Sequence, residues 1–184
     1  MFKFILFLIL SVSFIYAGEN IGNEKVEIYA TNMDTKDNIV TATGEVVVVY
    51  KDYHLSAKKA IYNRTSGDLE LFDKISANQG SNIKLLGEYA KLNIANKERM
   101  FKPFYMLEKT SNVWLSGCES SAKDIEVTIK SGVMSGCDPV DPLWTMEFTS
   151  AEYNTDTMWL DMYNTRIYIY DIPVFYTPYF GYSL

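Results

Sequence analysis

One histidine, two cysteines and five prolines are all that this 184-residue chain holds of three structure- and chemistry-defining residue types, and each scarcity excludes something. A hydrolytic triad would have to be built around His54, and no Gly-x-Ser-x-Gly surrounds a serine. Structural zinc normally takes four Cys or His ligands, whereas His54, Cys118 and Cys137 are far apart in the chain. Glycine patterns that cradle dinucleotides or phosphates are missing. His54 reads as a solvent-facing strand residue on the Ser56 and Lys58 face. The carboxylates Asp138, Asp141, Glu147 and Asp156 read as acidic loops. No catalytic residue, metal ligand or cofactor is assigned, and an enzyme is not expected. Basic residues are also short, 17 Lys and Arg against 23 Asp and Glu, giving a net charge of −6. A phosphate backbone needs a basic surface, so nucleic acid is not an expected partner.

What is abundant points to a sheet. There are 14 Tyr, 10 Phe and 3 Trp, residues that suit a pleated, half-buried surface. Met1-Phe-Lys3 followed by an apolar run to Tyr16 and a small Ala17 predicts a secretory signal peptide over residues 1–17. That run is too short to span a bilayer comfortably. Residues 18–25 form a polar lead.

The chain then alternates short β-like runs with turn residues. Around its centre, Val46 to Tyr50, Tyr53 to Tyr62 and Leu69 to Phe72 are separated by Lys51-Asp52 and by Asn63 to Gly67. In the second run Tyr53, Leu55 and Ala57 share one face and His54, Ser56 and Lys58 the other, the period of two of a half-buried strand. Further runs are Val26 to Ala30, Ile39 to Thr43, Ile83 to Asn93, Met100 to Leu107, Val113 to Leu115, Ile125 to Ile129, Trp144 to Phe148 and Met158 to Tyr170. Thr31 to Asn38 and Asn96 to Arg99 read as turns. Pro103 marks an edge, a bulge or a strand start. Ala60, Ala90, Ala122 and Ala151 recur about every thirty residues, a weak repeat expected of stacked β units that cannot cover their own apolar faces.

Two stretches stand apart. Cys118 and Cys137 are an even pair in an exported chain, which predicts disulfide bonding, either to each other or to cysteines elsewhere. Cys137 opens the proline-bracketed segment Cys137-Asp-Pro139-Val-Asp-Pro142-Leu-Trp144. Tyr168 to Leu184 is dense in aromatics, as at the interface belt of an outer-membrane barrel.

The central segment from Gly44 to Gly67-Asp-Leu69, with Tyr50, Tyr53, Leu55, Ala57, Ala60 and Tyr62-Asn63 at its fixed positions, resembles the OstA-like repeat domain of lipopolysaccharide transport proteins. The resemblance implies an all-β fold, an open twisted β-jellyroll of stacked short antiparallel strands. Some family members are periplasmic bridge proteins; others continue from the jellyroll into an outer-membrane barrel. Cys137 to Trp144 followed by Ile172-Pro173-Val-Phe-Tyr176-Thr-Pro178-Tyr-Phe180 looks like the joining segment of the second kind. The implied layout is a periplasmic lipid-transport jellyroll over 26–165 and the start of a barrel region, cut short, over 166–184. The implied ligand is lipopolysaccharide, and the implied location is the outer membrane with this segment facing the periplasm. The implied partners are a periplasmic bridge protein, paired through an edge strand at Val26, Ile28 and Ala30, and an outer-membrane lipoprotein plug reached through the barrel. Groove positions expected from the alternation are Val46, Val48, Leu55, Ala57, Leu69, Leu71 and Leu85. In the family, cysteines preceding the barrel bond to a distant pair near its far end. Cys137 matches that pattern and Cys118 does not, which leaves Cys118–Cys137 open. The alternatives are a stand-alone bridge protein and a ligand-free envelope scaffold with a filled core.

Overall fold

The computed structural model describes residues 17–21, 24–50, 53–93 and 95–183. The predicted leader, apart from Ala17, and the Lys51-Asp52 turn lie outside them. Thirteen strands form one antiparallel sheet: β1 (Ala17–Ile21), β2 (Glu24–Tyr29), β3 (Asn32–Lys36), β4 (Ile39–Tyr50), β5 (Tyr53–Asn63), β6 (Asp68–Gln79), β7 (Ile83–Asn93), β8 (Glu98–Glu108), β9 (Val113–Lys123), β10 (Glu126–Ser135), β11 (Trp144–Asn154), β12 (Trp159–Ile169) and β13 (Ile172–Ser183). From β4 onward every strand pairs with its neighbours in sequence. The first strands depart from this order. β2 pairs with the Val47–Tyr50 end of β4 and β3 with the Ile39–Thr43 end, so the two lie end to end along one side of β4. Gly44 sits at the junction with φ +100°, and a Cβ there would come within 2.7 Å of the Thr31 side chain, so only glycine fits. The fold is thus all-β and open, as expected.

Most strands are longer than the runs visible in sequence, because each is interrupted near its middle. Pairing skips between Thr43 and Val46 in β4, between Ser56 and Lys59 in β5, and between Phe72 and Ile75 in β6. The ladders of β10 likewise omit Ser131. Asp73, Lys74, Ser131 and Asn164 take positive φ angles near these breaks. Such bulges bend a strand and raise its twist. Aligned across the sheet, they divide every long strand into two flanks.

The inward face follows from the register. On the first flank one row runs through Val48, Leu55, Ala77, Leu85, Met106, Leu115, Met134 and Met146. On the second flank a row runs through Ala42, Ala60, Leu71, Ala90, Phe101, Ser120, Ile129, Ala151 and Met162. Three of the four recurring alanines lie in that row. Ala122 belongs to the adjacent inward row, and Ser120 takes the small-residue place. Val48, Leu71, Ala90, Ala151 and Met162 have no exposed surface. A single-layer sheet leaves both faces open, so burial this deep requires the two flanks to cover each other.

Two expectations change here. Thr31 to Asn38, read as a turn, contains β3, whose residues are mostly exposed and polar and so show no apolar alternation. Arg99, placed in a turn, lies within β8. β13 pairs with β12 and continues the same sheet to Ser183.

Candidate functional site

Between the flanks lies a cavity of about 330 Å³. Leu55, Ala77, Leu85, Met106 and Leu115 line it from the first flank, and Leu92, Phe101, Ala122, Val127 and Tyr153 from the second. The volume is at the small end of the range of about 300–1,000 Å³ common for ligand pockets. Its walls are apolar because inward positions on seven consecutive strands, β5 to β11, carry aliphatic and aromatic residues.

The polar groups gather at the rim. Tyr53 opens β5 at the outer end of the first flank, and Arg99 stands next to the outer end of the second. Arg99 Nη1 donates to the Tyr53 hydroxyl at 2.8 Å, its guanidinium lies 5.9 Å from the Tyr53 ring centre, and Nη2 donates to the Asp124 carbonyl at 3.1 Å. Tyr153 is half-buried, and burial pushes its phenol above the ordinary range, with the Glu108 charge on the opposite flank adding to the effect. Glu108 caps the β8–β9 turn, accepting from the Ser111 hydroxyl and amide, both at 2.6 Å, and from the Thr110 amide at 3.0 Å. Those bonds, the Ser111 hydroxyl first, hold its carboxyl down at about 2.

The structure separates the residues singled out from sequence. Val46, Val48, Leu55, Ala57, Leu69 and Leu71 are all buried on the inward face, and Leu85 is half-buried there. Leu55 and Leu85 line the cavity; the other five pack in the core beside it. Sequence reasoning missed Arg99, Met106, Leu115 and Tyr153. A signal for Met106 and Leu115 lay in their runs, but those runs were read too short to be placed across from Leu85.

The edge strand is corrected. Val26 and Ile28 are buried, β2 is paired on both sides by β1 and β4, and Ala30 falls between β2 and β3. At this end of the sheet the outermost strands are β1 and β3. Cys118 and Cys137 are not bonded to each other. The Trp114 indole donates to the Cys137 carbonyl at 2.7 Å, anchoring Cys137 beside Trp114. Trp114 and Cys118 lie on one strand, roughly 13 Å apart at a rise of about 3.3 Å per residue. A disulfide needs Cα atoms within about 7 Å. His54 is exposed, and among the described residues no group of three or more His, Cys, Asp or Glu side chains could hold a metal ion.

No family model matches the chain. Among curated proteins it is similar to the LPS-assembly protein LptD of Shewanella sp. (strain MR-4), 26% identical over 145 residues that make up 74% of this chain and 18% of that protein. LptD of Idiomarina loihiensis is 23% identical over 77% of the chain and 19% of its own length. LptD of Pseudomonas syringae pv. tomato is 23% identical over 82% and 16%. This β-domain is related to the LPS-assembly proteins. The chain spans less than a fifth of the length of these LptD proteins. LptH of Pseudomonas aeruginosa, the LptA homologous periplasmic component of a lipopolysaccharide transport device, is 12% identical over 71% of this chain and 76% of its own, with a TM-score of 0.29, too low to bear on the architecture.

Proposed function

We propose that this chain is the periplasmic jellyroll of an LptD-like protein, and that it receives lipopolysaccharide and guides its acyl chains toward an outer-membrane barrel. The observation that carries the proposal is the apolar cavity between the flanks, a space that a ligand-free scaffold would fill. Acyl chains enter it because each methylene removed from water contributes about 0.8 kcal/mol. The step needs no nucleophile, base or metal. Leu55 and Leu85 contact the tails directly, while Val46, Val48, Ala57, Leu69 and Leu71 hold the wall behind them.

In this reading the bridge protein adds a strand at the β1 and β3 end, where main-chain groups are available for pairing. The barrel and its lipoprotein partner lie at the β13 end and outside this chain. The segment faces the periplasm and is held at the outer membrane through that barrel. The test is photocrosslinking with a benzophenone residue placed at Leu85, Met106 or the outward-facing Lys84, in the exported protein with lipopolysaccharide supplied by its own cell. Adducts at Leu85 and Met106 and none at Lys84 are expected. Adducts at Lys84 alone would move the ligand to the other face and end the proposal.

A further inference from the structure

We infer that Arg99 and Tyr53 form a clasp that closes the side of the cavity, and that it sets how fast an acyl chain enters and leaves. The inference rests on the cavity being the site of acyl chains. Both residues line the cavity, one from each flank, and they meet at its rim. The contact joins β5 to β8, strands that are not neighbours in the sheet. It combines a hydrogen bond to a charged donor with a cation lying near a ring face, and the Asp124 carbonyl holds the guanidinium from behind. Arg99 is therefore oriented before it reaches Tyr53.

The fold supplies the hinge that such a clasp requires. Pairing is already interrupted along the line where the flanks meet, at Ser56 to Lys59 in β5 and Phe72 to Ile75 in β6. Spreading the flanks there costs no ladder hydrogen bonds beyond those already absent. The contact that must break at the rim is between Arg99 and Tyr53. The cavity in this closed arrangement, about 330 Å³, is small for a ligand with several tails, which gives the opening a purpose. A tail that lies between the flanks separates the guanidinium from the phenol, and the clasp closes again once the tail has moved on.

The test uses the whole chain and a dansyl-labelled fatty acid as probe, with stopped-flow fluorescence reading association and dissociation. Arg99→Ala should raise both rates about ten-fold, the loss of one charge-assisted hydrogen bond, while the dissociation constant moves much less. Tyr53→Phe keeps the ring and removes the acceptor, so its rates should rise by a smaller factor. It also serves as the deciding variant should Arg99→Ala fold poorly, which a thermal melt reports. Probe binding with unchanged rates in a folded variant overturns the clasp and leaves the cavity reading standing. No binding to the wild-type chain overturns the cavity reading and the clasp with it.

Discussion

Glu108 shows how a single side chain ties local turn chemistry to the rim of the trough. Its carboxyl is depressed from 4.5 to about 2 by bonds from Ser111 and Thr110. A carboxylate bound more tightly in the folded state stabilises the fold above its unfolded pKa, and that stabilisation is lost as pH falls through the folded value. The β8–β9 turn should therefore loosen between about pH 4.5 and about 2. Carbon-detected NMR titration of the Glu108 carboxyl, together with exchange of the Ser111 amide, checks this. In Glu108→Gln the Ser111 amide should exchange at a rate with no midpoint in that window. At this scale the two faces of β5 were legible, because Leu55 and Ala57 alternate with His54, Ser56 and Lys58, whereas Val46 to Val49 in β4 is apolar throughout and does not say which face points inward. Arg99 was not legible. A charged residue at an inward position breaks the pattern that reveals a strand, and only the partner across the rim explains it.

At the scale of the element, the interrupted strand is the feature that matters. A break of this kind makes a long strand read in sequence as two short runs with a gap. β6 is the clearest case: Leu69 and Leu71 point inward, then Asp73 and Lys74 intervene, then Ile75 and Ala77 point inward again. The runs were visible and their continuity was not, since nothing local distinguishes a bulge from a turn. Glycines at the line of breaks are held by close packing. A Cβ on Gly132 would lie 2.5 Å from the Ser116 carbonyl oxygen and 2.6 Å from the Phe148 ring. Neither can yield without shifting a strand, so Gly132→Ala should cost about 1–3 kcal/mol. Urea unfolding checks it, with Gly136→Ala as a contrast for steric crowding, since a Cβ at Gly136 meets nothing closer than 3.5 Å.

Across the whole molecule, the two ends of the sheet differ. β3 is short and polar at its edge, whereas β13 is long and exposes Ile172, Val174, Phe175, Tyr176 and Tyr179. An apolar edge of that length is a template for another strand. The isolated chain should self-associate with rising concentration, and Val174→Lys with Phe175→Lys should shift it to monomer. Sedimentation velocity measures this, and unchanged association in the lysine variant would locate the contact elsewhere. The fold class was legible because it depends on alternation and turn spacing, which the chain displays throughout. The cavity was not, because the gap between flanks depends on how far the sheet bends, and no residue pattern encodes that distance.

Because almost every strand pairs with its sequence neighbours, the order of synthesis can also be the order of assembly. Contacts between neighbouring strands close short loops, the feature that speeds folding among proteins of similar stability. A chain emerging end-first through a narrow exit can lay down each hairpin on the one before it, with no wait for a distant partner. Its growing edge is always the newest strand. The protein is in this sense finished at every hairpin and closed at none, and the aromatic edge of β13 is where that growth stands after the last described strand.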